Sequence, residues 1–175
     1  MTIGHGELTI VSMAIHPVRK YPDPVLRKVA EKVTDISDDI CRLSEDMIET
    51  MRAARGIGLA ANQVGVSLRL IAIEGGIEKE SPALVIVNPE IVEVGPEELA
   101  EEGCLSLPGF YESFKRASHV RVKGATIDGK DFDFECTGLL ARAFQHEIDH
   151  LNGILLVDHL SPVKRQLFRK EFMKE

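Results

Sequence analysis

The sequence has few cysteines, no long apolar run and no excess of positive charge. The three cysteines are an odd number, widely spaced among 175 residues, which argues against a disulfide framework and favours a reducing compartment. No apolar run approaches the roughly 20 residues that a bilayer span needs. The amino terminus lacks the basic and then apolar layout of a secretory signal. We therefore expect a cytoplasmic protein without a membrane partner.

The charge of the chain is negative but unevenly distributed. The formal net charge of −7 at pH 7 argues against broad binding of nucleic acid, so we predict no DNA partner. Residues 161–175 nevertheless carry five basic and two acidic side chains. This tail is predicted to form an amphipathic basic helix, whose basic side is either a solvated surface or a docking surface.

The size of the chain and its apolar pattern predict the fold class. Apolar residues make up 44% of the sequence, enough for one ordinary core, so we expect residues 1–175 to form a single domain. Residues 1–12 carry no usable pattern and are interpreted as an extension, and 161–175 as the C-terminal helix. Helical spacing predicts a helix from about Asp35 to Arg55, and apolar or alternating runs predict strands at 68–73, 83–87, 91–94, 119–123 and 132–136. The predicted fold is α+β, with mostly antiparallel sheets around a buried helix and further helices at both ends.

The sequence Q-H-E-I-D-H at residues 145–150 carries the strongest chemical pattern. In a helix, His146 and His150 lie one turn apart and project from the same face, as two ligands of one metal ion would. Glu147 is rotated by about 100° from His146, so it can act beside the metal as an acid/base group without being a ligand. The pattern H-E-x-x-H is typical of metal-dependent hydrolases that split amide bonds. The helix is predicted to follow Thr137 as N-cap and to end at Asn152.

Two histidines leave a catalytic metal short of ligands, because such a site normally uses three protein ligands and keeps one position for water. The third histidine of the long metzincin pattern would fall at Leu156, and the downstream glutamates, Glu171 and Glu175, lie in the short basic tail. Cys104, in a turn bordered by glycine, is the best remaining donor. The sequence therefore predicts a Cys-His-His metal site.

Three segments together resemble the signature motifs of the peptide deformylases. They are Gly56-Ile57-Gly58-Leu59-Ala60-Ala61-Asn62-Gln63, Glu102-Gly103-Cys104-Leu105-Ser106 and Gln145-His146-Glu147-Ile148-Asp149-His150. They occur in the family's order, the similarity extends from Met13 to the tail, and Pro108-Gly109-Phe110-Tyr111 and Arg116 resemble the bacterial branch. The resemblance implies a hydrolase that removes the N-formyl group from the initiator methionine of new polypeptides and releases formate.

The resemblance also implies a role for each residue of the site. Cys104, His146 and His150 would hold the metal, whose charge lowers the pKa of its bound water; the family points to Fe²⁺, with Zn²⁺, Ni²⁺ or Co²⁺ as substitutes. Glu147 would take the proton of the water and pass it to the departing amine. Gln63 and the Leu105 backbone N–H would donate to the developing oxyanion. The predicted substrate contacts are Ile57, Gly58, Glu102, Leu139, Arg142 and Ala143.

The sequence leaves several alternatives open. Tyr111 stands where some members of the family have an arginine that holds the peptide, so the group that takes this role is open. Family precedent also raises the hypothesis that the basic tail docks on the ribosome near the exit tunnel through phosphate contacts. Another amidase or metallopeptidase would use the same water activation. A domain with a purely structural metal is the remaining alternative, but it would need neither Glu147 nor Gln63.

Overall fold

The computed structural model describes residues 14–75 and 82–172, so the predicted extension at 1–12 lies outside the described residues. The α-helices within these ranges are α1 (Asp38–Ala53), α2 (Gly138–Leu151) and α3 (Pro162–Phe172). The strands are β1 (Gly58–Ala60), β2 (Leu70–Ile73), β3 (Leu84–Val94), β4 (Glu97–Cys104), β5 (Leu107–Ala117), β6 (His119–Thr126) and β7 (Asp131–Thr137). Short 3-10 helices span Pro24–Arg27, Ala61–Val64 and Leu156–His159.

The strands of the described residues pair antiparallel in two sheets. Strands β1, β2, β3, β6 and β7 form a five-stranded sheet in that order, whereas β4 and β5 form a separate two-stranded hairpin. Helix α2 is largely buried, and α1 and α3 lie before and after the strands and α2 in the chain. The predicted α+β fold with a buried helix and flanking helices is confirmed.

The sequence predicted two strands where the structure has one. The runs at 83–87 and 91–94 belong to a single strand, β3, which continues through Asn88 and Pro89. Asn88 adopts a positive φ of 51°, and the pairing of β3 with β6 shifts register between Val87 and Glu90. The interruption that the sequence predicted is therefore a local irregularity of the strand and not a loop.

Strand β2 shows why the five-stranded sheet carries a helix on each face. All four of its residues are fully buried, and their side chains alternate between the two faces. Ile71 and Ile73 join an apolar cluster that contains Phe144 of α2. Leu70 and Ala72 join a second cluster to which α1 contributes its apolar side. The sheet thus lies between α1 and α2, which fixes α2 against a rigid support.

Helix α2 has the ends that its sequence predicted. Thr137 occupies the N-cap position, although its side chain makes no capping hydrogen bond, and Asn152 occupies the C-cap position. The helix stops where Gly153 adopts a positive φ of 71°, a conformation that favours glycine. Its apolar side belongs to the sheet core, so its other side is left to carry His146 and His150.

The hairpin of β4 and β5 and the carboxyl end of the chain enclose a third apolar cluster. Phe168 of α3 is only 4% exposed and packs against the rings of Tyr21, Phe110 and Phe172. The predicted C-terminal helix is therefore present and anchored by an aromatic side chain. None of the helices in the described ranges is long and apolar enough to cross a membrane.

Candidate metal centre and active site

The three predicted metal ligands converge from two separate elements. Cys104 ends β4, and His146 and His150 project from α2. One donor atom from each residue lies within 4.8 Å of the other two, and Cys104 Sγ is 3.2 Å from His150 Nε2. Donor atoms of a tetrahedral site with thiolate and imidazole ligands are roughly 3.5 Å apart, given the usual bond lengths. The donor set and its spacing therefore fit a thiophilic divalent metal.

Glu102 fixes the orientation of the His146 ring. Its Oε1 accepts a hydrogen bond from His146 Nδ1 at 2.6 Å, which leaves Nε2 of the ring for a metal. Arg116 donates to both oxygens of the same carboxylate, and Arg142 Nη1 donates to Oε2 at 3.0 Å. Burial by itself would raise the pKa of Glu102, but the hydrogen bonds from His146 and Arg116 hold it well below its usual range. Glu102 is thus a buried anion that orients a ligand.

The charges around Glu102 extend into a paired network. Arg116 Nη1 donates to Asp149 Oδ2 at 2.6 Å, and this oxygen also lies 2.8 Å from His159 Nε2. Arg142 donates to two backbone carbonyls of the hairpin as well. Removing one partner of such a buried network typically costs about 3–5 kcal/mol, because it leaves a charge without compensation. The network therefore locks the hairpin to α2 beside the metal site.

The second histidine lies in a different electrostatic environment. His150 is 1% exposed, and its burial lowers its pKa well below the usual value. A neutral imidazole is the form of histidine that ligates metals. His150 is therefore kept in its ligating state without needing a proton to leave.

Glu147 is the acidic group of the site that has no charged partner of its own. It is 4% exposed, and its burial raises its pKa to about 7. Its Oε2 is buried, and no group among the described residues hydrogen-bonds to it. A buried carboxylate oxygen without a protein partner is costly, which indicates that water or substrate completes its hydrogen bonding. With a pKa near neutrality, the group can both accept and release a proton.

Gln63 reaches the ligand cysteine from the short helix that follows β1. Its Oε1 accepts from the Ala60 N–H at 2.9 Å, and its Nε2 lies 3.2 Å from Ser106 Oγ and 3.8 Å from Cys104 Sγ. The first bond fixes the amide, so the N–H₂ end faces the metal site. Leu105 belongs to the two-residue turn between β4 and β5, directly after Cys104. Both predicted oxyanion donors therefore lie next to the ligand sulfur.

A cavity of about 630 Å³ opens onto these groups. The lining includes Gln63, Leu105, Glu147 and all six predicted substrate residues, Ile57, Gly58, Glu102, Leu139, Arg142 and Ala143. Arg142 and Ala143 are buried at its wall, whereas Ile57 and Leu139 are exposed at its rim. The lining also contains Lys20 and Arg55, two cations that the sequence analysis did not single out. The cavity is large enough for a peptide end and ends at the metal site.

The comparisons with known proteins agree with this geometry. A profile described as Polypeptide deformylase matches residues 15–166. The peptide deformylase of Thermodesulfovibrio yellowstonii is 55% identical over 161 residues, which is 91% of this chain and 98% of that protein. A crystal structure of a peptide deformylase from Legionella pneumophila superposes with a TM-score of 0.85 at 48% identity, over 92% of this chain and 95% of that one. A peptide deformylase from Ehrlichia chaffeensis in complex with actinonin gives 0.87 at 35% identity, over 93% and 98% of the two chains.

The chain belongs to the polypeptide deformylase family. It is therefore a hydrolase that removes the formyl group from newly made polypeptides, and the family is one of metalloenzymes. The structure brings Cys104, His146 and His150 together in a Cys-His-His metal site.

Two predicted substrate residues of this deformylase make contacts that the sequence did not suggest. Both oxygens of Glu102 accept hydrogen bonds from the side chains of His146, Arg116 and Arg142. These contacts hold the ring of His146 in its orientation. At Gly58, a Cβ atom would clash with Glu147, so the missing side chain makes room for the Glu147 carboxylate. Their contacts with the substrate stay predictions.

Tyr111, which stands where some deformylases have an arginine, lies at the mouth of the cavity. It pairs with Gly103 across the hairpin, and a Cβ at Gly103 would be 2.6 Å from the Tyr111 ring. The tyrosine ring therefore covers the backbone next to Cys104. Arg55 lines the same cavity and supplies a guanidinium in this chain.

Proposed function

We propose that this deformylase hydrolyses N-formylmethionyl peptides at a metal held by Cys104, His146 and His150, with Glu147 as its acid/base group. The observation that carries the proposal is the convergence of the three ligand atoms within 4.8 Å beside a buried carboxylate. Residues 1–175 would act as one catalytic domain, which works in the cytoplasm where new polypeptides emerge. A divalent ion bound there would lower the pKa of water and polarise the formyl carbonyl.

The protein itself would move the proton. Glu147 has a pKa of about 7, so its carboxylate can take a proton from the attacking water and return it to the leaving amine. Its Oε2 has no hydrogen-bond partner among the described residues, which supports this use of the oxygen. The glycine at position 58 leaves the space that the side chain needs to adopt this position.

The negative charge that develops on the formyl oxygen would be met by two donors. The Gln63 amide faces Cys104, and the Leu105 N–H belongs to the residue that directly follows Cys104. Fixed donors of this kind need no reorganisation during the reaction, and loss of one typically lowers the rate by about 10²–10³-fold. The bond from the Ala60 N–H to Gln63 supports the required orientation of the amide.

The methionine side chain would enter a pocket lined by Ile57, Leu139, Arg142, Ala143 and His146, beside the Glu102 carboxylate. Gly58 would leave room for the peptide backbone. Two of the pocket residues are apolar and exposed at the rim of the cavity, and would lose water when a thioether side chain enters. The stem of Arg142 can contribute apolar surface while its guanidinium stays bound to Glu102.

The substrate class is tested by comparing the formylated, the acetylated and the free form of one peptide. We expect formate release from formyl-Met-Ala-Ser and at most traces of acetate from acetyl-Met-Ala-Ser. The third substrate is the free peptide, whose internal bonds should stay intact. Preferential cleavage of an internal bond would refute the proposal and favour a metallopeptidase.

Fe²⁺ is the proposed native ion, with Zn²⁺, Ni²⁺ and Co²⁺ as substitutes. A thiolate with two imidazoles binds all four ions, so the donor set supports the class of metal and the family supports iron. The test is anaerobic purification followed by metal analysis and formate release. Iron in a near one-to-one ratio, with activity lost after exposure to oxygen, is the expected result. An iron-free enzyme of full activity would contradict it.

Helix α3 is proposed to dock on ribosomal RNA near the exit tunnel. Arg169 and Lys170 are exposed on this helix, whereas Phe168 anchors it in the third cluster. Deleting the helix would expose the rings of Tyr21 and Phe110, so a truncation would disturb the fold along with the docking surface.

Charge reversal gives a cleaner test of docking. The double variant Arg169→Glu/Lys170→Glu keeps Phe168 in place and should bind ribosomes at least about tenfold more weakly at low salt. Its rate on a free formyl peptide should equal that of the wild type. A matched control is Lys28→Glu/Lys115→Glu, which changes two exposed cations outside α3. Equal ribosome binding by wild type and the α3 variant would refute the docking surface.

A further inference from the structure

The segment at residues 19–21 contacts both elements that carry the proposed oxyanion donors. The Arg19 N–H donates to the Gln63 carbonyl at 2.7 Å, and the Tyr21 N–H donates to the Ser106 carbonyl at 2.9 Å. These two bonds tie the helix at Ala61–Val64 and the turn after β4 to one stretch of backbone. The segment therefore bridges the two elements, which the contact of Gln63 Nε2 with Ser106 Oγ also joins directly.

Lys20 lies between these two anchors and contacts the turn directly. Its Nζ donates to the Leu105 carbonyl oxygen at 2.5 Å, although the two residues are 85 positions apart in the chain. Lys20 also lines the cavity that holds Gln63 and Glu147. Among the described hydrogen bonds to this turn, the bond from Lys20 is the one donated by a charged side chain.

We propose that Lys20 is a positioning residue for the oxyanion donor at Leu105, an inference that rests on the proposed function. The direction of the Leu105 N–H depends on the torsion angles of the two-residue turn. Holding the Leu105 carbonyl restricts those angles, and a hydrogen bond from an ammonium group holds more strongly than a neutral one. A donor that is fixed before the reaction stabilises the transition state without reorganisation.

The decisive variant is Lys20→Met, which keeps an unbranched apolar stem and removes the donor. Since the Leu105 N–H would be loosened but not deleted, we expect kcat to fall about 5- to 30-fold, less than the loss of a whole oxyanion donor. KM should stay within about twofold, because the interaction is made in the transition state. Lys20→Arg restores a cationic donor and should regain at least half of the wild-type kcat.

A matched control is Lys130→Met. Lys130 is also exposed and pairs with a carboxylate, that of Asp128, in the turn between β6 and β7. It is not among the residues that line the cavity. Its replacement should leave kcat and KM at wild-type values. Metal content and melting temperature are measured for all variants.

The outcomes separate this inference from the proposed function. Formate release by the wild type, a lower kcat in Lys20→Met at full metal content, and recovery in Lys20→Arg support the positioning role. An active wild type with an equal kcat in Lys20→Met overturns this role alone. A higher KM at unchanged kcat overturns it in favour of a direct substrate contact, and loss of metal without rescue by arginine overturns it in favour of a structural one. A wild type that releases no formate overturns the proposed function and this inference together.

Discussion

Glu147 lies directly against Gly58, with no space for a methyl group between them. A Cβ at residue 58 would come within 2.8 Å of Glu147 Cγ and would also clash with its carboxylate. Gly58 begins β1 and Glu147 belongs to α2, so the contact decides how closely the helix approaches the edge of the sheet. The placement of the Glu147 carboxylate thus depends on a residue without a side chain.

We expect Gly58→Ala to be harmful through this contact. The added methyl should destabilise the fold by about 1–3 kcal/mol, as overpacking of a close contact does, and should lower kcat by displacing the carboxylate. Urea unfolding and formate release measure the two effects. In a Glu147→Ala background the loss of stability should shrink, because the clashing atoms are gone. Equal losses of stability in both backgrounds would contradict the assigned contact.

Glu147→Gln should separate metal binding from turnover. The amide is nearly isosteric and leaves all three ligands in place, so we expect a normal metal content. Without a group that can accept the proton, kcat should fall by at least about 10²-fold. Glu97→Gln, which changes an exposed glutamate of β4, is the matched control and should keep full activity. A rate near that of the wild type for Glu147→Gln would rule out its role as the acid/base group.

The orientation of His146 by Glu102 predicts a loss of metal affinity. Glu102→Gln removes the negative charge that holds the imidazole and leaves Arg116 without its bidentate partner. Replacement of such an outer ligand partner typically weakens metal binding by about 10- to 100-fold. Competition with a chelator measures the change. Glu112→Gln, which changes an exposed pair between β5 and Lys164 of α3, should leave the affinity unchanged. Equal affinities in the wild type and Glu102→Gln would refute the orienting role.

The free energy of unfolding at acidic pH should depend on Asp158, which is not one of the residues of the metal site. Burial alone would raise its pKa, but hydrogen bonds from Arg27 and the Leu155 N–H lower it in the folded protein. A folded-state pKa below the unfolded value gives a stabilising contribution that is complete above about pH 4 and is lost as the pH falls toward the folded-state pKa. We expect Asp158→Asn to be less stable by about 1 kcal/mol at pH 7.

The two proteins should converge in stability as the pH falls from the unfolded-state pKa through the folded-state pKa of Asp158. Urea unfolding of both at matched pH values measures the difference directly. Asp131→Asn, at the exposed start of β7, is the control and should follow the wild type throughout. A constant difference between pH 7 and pH 2 would show that the carboxylate charge is not the source of the stabilisation.

The sequence predicted the parts of the site that depend on local spacing. His146 and His150 are one helical turn apart, so a helix alone fixes their common direction, and the apolar residues around them predicted burial. The exclusion of other ligands then led to Cys104. The α+β class followed from strands such as β2 and β7, whose runs are apolar or alternate.

The remaining parts depend on contacts between distant residues. The β4 strand was missed because its sequence from Glu97 to Glu102 is largely acidic, and its register is fixed by pairing with β5. Arg142 and Glu102 meet only after the hairpin has packed on α2, 40 positions away along the chain. The same is true of Lys20 and Leu105, whose contact no local pattern encodes.

The proposed ligands come from two separate elements, the β4–β5 hairpin and helix α2, and this affects how an ion would bind. Cys104 and His150 are 46 positions apart, so a peptide containing α2 alone would offer an ion two imidazoles and no thiolate. All three donor atoms therefore come together only where the hairpin is docked on α2, and an ion bound there would act as a cross-link between two parts of the chain. Removing it should increase amide hydrogen exchange first in β4 and β5, while the five-stranded sheet stays protected.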